Sequence, residues 1–289
     1  MRYACCITTP VWDWRAATHD CPKRPGAPLW ESLRVRILIS MTDAKTPQAR
    51  SDPDAHAPDL SQVIAIDGPV ASGKTVVGRE LAKRLGWAML DTGIMYRALT
   101  WYAQERRVDL SDHVRLTALA NAVKIEVGPP PSGSIETASI VLDGDNATPH
   151  LREPAVEAAV STVAAVPGVR EAMVTAQRKQ AQHGRLVMVG RDIGTVVVPQ
   201  APIKVFLTAS AEVRAHRRAE EMRRQGRQIS DADVQDEIVR RDGRDANRDA
   251  SPLRPADGSV ELNTTELSRE EVVQTVLDLV RAHAPELLS

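Results

Sequence analysis

The chain has 289 residues, enough for one large or two ordinary domains with a full apolar core. Its 37 Lys and Arg nearly cancel its 38 Asp and Glu, so the overall charge recruits neither nucleic acid nor a membrane surface, and any cationic site must be local. No run of 18 apolar residues occurs, and "MRYACCITTPVWDWR" lacks the unbroken apolar segment of a secretory signal, which predicts a cytoplasmic protein without a membrane anchor.

Residues 1–60 hold all three cysteines (Cys5, Cys6, Cys21) and three of the five tryptophans, yet show no sustained helical or strand period. They read as a disordered or non-native leader, and Met41, opening a polar stretch dotted with proline, is a candidate start of translation. An adjacent cysteine pair with His19 does not match the separated ligand pairs of a zinc site, so no metal is expected there.

From residue 61 to the end, strand-like and helix-like segments alternate. "VIAID" (63–67), "WAML" (87–90), "LVMVG" (186–190), "IKVFLTA" (203–209) and "SVELNT" (259–264) are short apolar runs that suit strands covered on both faces. Helices are predicted over 74–85, 94–106, 167–182, 211–225, 231–246 and 268–282. The alternation predicts an α/β fold of three layers, a parallel sheet with helices on both faces. Residues 123–153 break the pattern with strand-like pieces, a Pro-Gly cluster and no helix, which predicts a small antiparallel insert. No apolar stripe stands out beyond what sheet and helices need, so a monomer is expected.

"GPVASGKT", residues 68–75, lies between the first strand and the first helix and satisfies G-x-x-x-x-G-K-[ST]. At a glycine usage of about 7%, a chance match in a chain this long is on the order of one in a hundred before that context is counted. In such a loop the backbone of Gly68, Pro69, Val70, Ala71, Ser72 and Gly73 turns its N–H groups around a phosphate, and the helix beyond adds its positive end. Lys74 can follow the β and γ phosphates, and the Thr75 hydroxyl can ligate the Mg²⁺ of a nucleoside triphosphate. This makes a P-loop site. The N-K-x-D of guanine-reading switches and the Asp-Glu pair of motor ATPases are both absent, which leaves kinases in front.

Arginines gather where they can meet phosphates: Arg97 after "DTGIMY", Arg170 in "PGVREAM", Arg191 in "VGRDIGT", and Arg240, Arg241, Arg244 and Arg248 in "RRDGRDANR". Arg97 and Arg191 follow the carboxyl ends of predicted strands, where open α/β sheets bind ligands, and a guanidinium fork can bridge phosphate oxygens.

Together with "AIDGPVASGKTVVGRELAKRLGW", "LDTGIMYRALT", "STVAAVPGVREAMVTAQR", "GRDIGTVVVPQAPIKVFLTASAEVRAHRR" and "RRDGRDANRDASPLRPADGSVELNTT", these blocks make the chain from Val63 to about His283 resemble bacterial cytidylate kinases of the nucleoside monophosphate kinase group. The resemblance implies phosphoryl transfer from ATP, with Mg²⁺, to CMP or dCMP. It implies a monophosphate-binding region over about 92–185 that includes the insert, and a mobile arginine-rich helical lid over about 211–250. It further implies that Thr92, Arg170 and Asp245 read cytosine with Tyr96 stacking beside it, that Ser161, Asp192 and Arg248 meet the sugar and its surroundings, and that Arg97, Arg191 and Arg248 clamp the acceptor phosphate. Lys74, Arg191 and the lid residues Arg217, Arg218, Arg241 and Arg244 are implied in catalysis. Val189 departs from the family pattern, in which an acidic residue is common, and is expected to loosen the support of Arg191; Val198 and Gln200 replace common Phe and Asp. Two alternatives stay open: a kinase of this fold for UMP, shikimate or dephospho-coenzyme A, and a nucleotide-binding regulator without transfer activity.

Overall fold

The computed structural model describes Arg36–Ile37 and residues 60–224, 226–248 and 250–288. The leader's cysteines, His19 and Met41 lie outside the described residues.

The main sheet runs β3 (Ala88–Asp91), β7 (Leu186–Val189), β2 (Val63–Asp67), β8 (Ile203–Thr208), β9 (Val260–Asn263), all parallel, closed at one edge by the antiparallel dipeptide β1 (Arg36–Ile37). β1 is an element where none was expected. The helices are α1 (Lys74–Leu85), α2 (Gly93–Glu105), α3 (His113–Ala122), α4 (Pro154–Val163), α5 (Pro167–Ala181), α6 (Ala211–Arg224), α7 (Asp231–Ala246) and α8 (Arg269–His283). β4 (Ile125–Gly128), β5 (Ser139–Leu142) and β6 (Asp145–Asn146) form the expected antiparallel insert, which ends in a 3-10 turn at Thr148–His150.

β2 is central and wholly buried, and its alternate side chains serve two cores. Val63 and Ala65 join α2 and α5 on one face; Ile64 and Ile66 join Val77 and Leu81 of α1 and Val273 and Val276 of α8 on the other. This explains why the strand reads as an unbroken apolar run. A third, small cluster of Ala215, Ala219, Met222, Val234 and Ile238 joins α6 to α7, with Val70 and Ala71 of the phosphate loop packed against it.

The helix α3 and a π-helical turn were not anticipated. α3 is a short helix with only Leu116 and Ala120 buried, capped by Asp112, which accepts from the Arg115 N–H at 3.0 Å. α4 begins at Pro154, a residue suited to a first helical turn. After β7 the chain makes a π-helical turn, Ile193–Val197, inside the "GRDIGTVVV" block.

Val189 ends β7, two residues before Arg191. Its side chain is 1% exposed and points at α1, where Gly78 has no Cβ; an added Cβ would lie 2.6 Å from Val189 Cγ2 and 3.1 Å from Met89 Cε. Gly78→Ala should therefore lower the unfolding free energy by about 1–3 kcal/mol through overpacking, even though alanine favours helix by about 1 kcal/mol. The urea midpoint measures this; an unchanged or raised midpoint would refute the close packing of α1 on β7.

Candidate active site

At the carboxyl ends of β2, β3 and β7 lies a cleft of about 880 Å³, lined by the phosphate loop, the start of α2, the 190–192 loop and helices α6 and α7. Strand ends position its chemistry because every parallel strand stops at the same rim.

The donor side is the loop from β2 to α1. Gly68 has φ 146°, and a Cβ there would lie 2.0 Å from the Leu207 carbonyl oxygen, so only glycine lets the loop leave the sheet along β8. α1 starts at Lys74 with no side-chain cap, which leaves its first amides to a ligand. Lys74 Nζ donates to the Pro69 carbonyl (2.6 Å) and to Ser72 Oγ (3.4 Å). Burial first, then the nearby Arg191 guanidinium, hold the Lys74 ammonium well below its usual pKa. The Thr75 hydroxyl donates to Asp91 Oδ2 at 2.7 Å, and Asp91 Oδ1 accepts from the Gly93 N–H at 3.0 Å. Two hard oxygen donors thus meet beside the loop, a donor set suited to Mg²⁺.

The opposite wall is cationic. Arg97, Arg191, Arg241 and Arg248 all line the cleft. The Nε atoms of Arg97 and Arg241 are buried without a hydrogen-bond partner. Burial, then Arg191 and Arg97, push the Arg241 guanidinium down to about 10, and burial likewise lowers Arg97 and Arg248. Like charges are crowded here in a poorly solvated space, an arrangement that a polyanion relieves.

Carboxylates position these arginines. Asp245 forms an ion pair with Arg191 Nε at 3.1 Å and lies 3.8 Å from Arg248, while the Arg191 Nη1 donates to the Gly68 carbonyl at 2.5 Å. Arg170 pairs with Asp192, each side chain 4% exposed, and also donates to the Ala164 carbonyl at 3.1 Å. The Arg170 guanidinium lies 5.4 Å from the centre of the Tyr96 ring, and Thr92 Oγ1 donates to the Val189 carbonyl at 3.1 Å. Of the three residues expected to read cytosine, Arg170 thus pairs with Asp192, while Asp245 lies against Arg191 and Arg248.

The structure brings most of the expected residues together. Thr92, Tyr96, Ser161, Asp192 and Arg217 line the same cleft, Arg217 being held by Thr264 through contacts of 2.8 and 3.1 Å. Arg244 departs: it is exposed and lines a neighbouring cavity of about 680 Å³ between α4 and helices α6 and α7. Sequence reasoning missed four carboxylates. Asp91 contacts Thr75. Asp67 accepts from the N–H groups of Ile193 and Gly194, and burial pushes its carboxyl up to about 6. Asp242 accepts from the Val70 N–H at 3.3 Å and pairs with Arg214, tying α7 to the phosphate loop and to α6. Glu136 of the insert meets Arg152 at 2.5 Å, and Arg152 reaches Glu221 of α6 at 3.2 Å. Asp67 and Asp91 were signalled by their places at strand ends; the other two carried no local signal.

The cytidylate kinase family model matches residues 64–282. A cytidylate kinase of Geobacillus kaustophilus is 46% identical over 217 residues, covering 75% of this chain and 95% of that relative. Those of Rhodococcus opacus (44% over 221 residues, 76% and 95%) and Caldanaerobacter subterraneus (41% over 223 residues, 77% and 96%) align over the same span.

The cationic wall makes a measurable prediction. Tripolyphosphate at a hundredfold excess over its Kd should raise the melting temperature by about 5–10 °C. Arg241→Leu should leave the ligand-free protein at least as heat-stable as the parent and remove most of that shift, since it deletes a crowded buried cation. Scanning fluorimetry on both proteins checks this; a parent that ignores the polyanion refutes the reading of the wall.

Proposed function

The chain belongs to the cytidylate kinase family, and from that premise we propose that it transfers the γ-phosphoryl group of ATP to CMP and dCMP, forming CDP and dCDP. The observation that carries the reading is the buried Arg170–Asp192 pair beside Tyr96, set in one cleft with the phosphate loop and the arginine wall. Cytosine offers an amino donor at position 4 beside acceptors at N3 and O2; Asp192 can accept from the first and Arg170 can donate to the others. Uracil reverses positions 3 and 4 and would leave both groups mismatched. Asp245, first assigned to the base, is then better used in orienting Arg191 and Arg248.

Arg97, Arg191 and Arg248 grip the acceptor phosphate, one of whose oxygens attacks the γ phosphorus while the bond to the β–γ bridging oxygen breaks. No general base is needed, because the attacking oxygen of the monophosphate is ionised near neutral pH. The contribution of Lys74, Arg191, Arg217 and Arg241 is alignment and charge neutralisation. Arg244, facing the neighbouring cavity, is left outside the transfer step. Thr75 and Asp91 would hold Mg²⁺, which neutralises charge on the triphosphate when bound. α6 and α7 cover the loop and exclude water through the apolar contact with Val70 and Ala71.

All these groups come from one chain, which supports a monomer as the working unit. Among the described residues no helix is long and apolar enough to cross a membrane. We place the enzyme in the cytoplasm, where nucleotide pools are held, acting on small nucleotides rather than nucleic acid.

A coupled ADP-release assay with ATP, Mg²⁺ and either CMP, dCMP, UMP or AMP tests the reading: turnover with CMP and dCMP should far exceed that with UMP and AMP. UMP turnover equal to that with CMP would overturn the base-reading roles, and no turnover with any acceptor would overturn the reaction. Arg191→Ala should lower kcat/KM about a hundredfold or more, roughly 2.7 kcal/mol, and a loss of tenfold or less would remove Arg191 from the clamp.

A further inference from the structure

Asp67 ends the central strand β2, immediately before the phosphate loop, and is 4% exposed. A carboxylate there is costly unless it is fully hydrogen-bonded. Its two oxygens accept from consecutive amides far along the chain, Oδ1 from the Ile193 N–H at 2.8 Å and Oδ2 from the Gly194 N–H at 2.7 Å. Those amides open the π-helical turn Ile193–Val197, which has no side-chain cap from its own Asp192. Like the first turn of any helix, this one begins with N–H groups that lack a partner inside it, and Asp67 supplies acceptors from another strand.

The loop held in this way, residues 190–194, carries both Arg191 and Asp192. It is pinned at two further points: the Gly190 N–H donates to the Ile66 carbonyl at 3.0 Å, and Arg191 Nη1 to the Gly68 carbonyl at 2.5 Å. Three successive residues, Ile66, Asp67 and Gly68, therefore hold one loop of the acceptor side. A neutral acceptor could satisfy one of the two Asp67 contacts; both together require a carboxylate.

We propose that Asp67 is a positioning residue that ties the acceptor-binding loop to the phosphate loop, so that Asp192 and Arg191 present their side chains to the monophosphate in register with the donor. The role rests on the CMP kinase reading above. Asp67 itself touches no substrate; it acts through the backbone of residues 193 and 194. The charged groups facing it are Asp192, which disfavours its ionised form, and Lys74, which favours it.

The test is Asp67→Asn in the full chain, with CMP and UMP varied at saturating ATP, and ATP varied at saturating CMP. An amide keeps the shape but turns a donor toward one of the two N–H groups. The KM for CMP should rise about 10- to 100-fold, with a smaller advantage of CMP over UMP, while the KM for ATP stays within about twofold. A variant whose KM values for CMP and ATP are both unchanged, or rise together, overturns the proposal. A parent chain that does not turn over CMP overturns the reaction instead, which separates the two failures. Should the variant not fold, amide exchange of the parent decides. The Ile193 and Gly194 amides should be protected about a hundredfold or more relative to an open loop, and that protection should fall as the pH drops from 7 to 5 and the carboxyl gains its proton. Unprotected amides at pH 7, or protection that ignores pH, would overturn the link.

Discussion

The site depends on holding several like charges close together in a space with little water. Arginines at 97, 191, 241 and 248, with Lys74 across the cleft, repel one another until an anion arrives, and burial makes that repulsion stronger. The fold resists it in two ways. The apolar cores on either face of β2 make the rim rigid, and carboxylates fix individual guanidinium groups: Asp245 on Arg191, Asp192 on Arg170, Asp242 on Arg214. Repulsion is thus kept ready as binding energy for phosphates, a form of electrostatic preorganisation.

How far the chain discloses this differs by element. The central strands β2 and β7 were legible because both are buried on both faces, so "VIAID" and "LVMV" read as unbroken apolar runs. The phosphate loop was legible because backbone geometry demands its glycines. α3 was obscured because it buries only Leu116 and Ala120 and presents a weak periodic signal. The π-helical turn follows from no local period; its amides are satisfied by a residue more than a hundred positions earlier.

The same reason explains the partly legible site. The arginines could be found as a group, since their types and places at strand ends suit phosphates. Their partners could not, because a pairing such as Arg170 with Asp192 is decided by how α5 and the loop after β7 approach each other. Arg244 reads like its neighbour Arg241 in "RRDGRD", yet of the two, which share the neighbouring cavity, only Arg241 also reaches the cleft.

The cover of the cleft rests on forces of two kinds. Glu136, Arg152, Glu221, Arg218 and Glu157 form a chain of ion pairs from the β insert to α6 and α4. The contact of Val70 and Ala71 with the small cluster between α6 and α7 is apolar. Apolar attraction weakens on cooling, and the desolvation that opposes ion pairs is greatest in the cold, so both kinds of contact loosen together as temperature falls. The cover of the cleft is therefore at its weakest at low temperature, whatever cooling does to the chemistry beneath it.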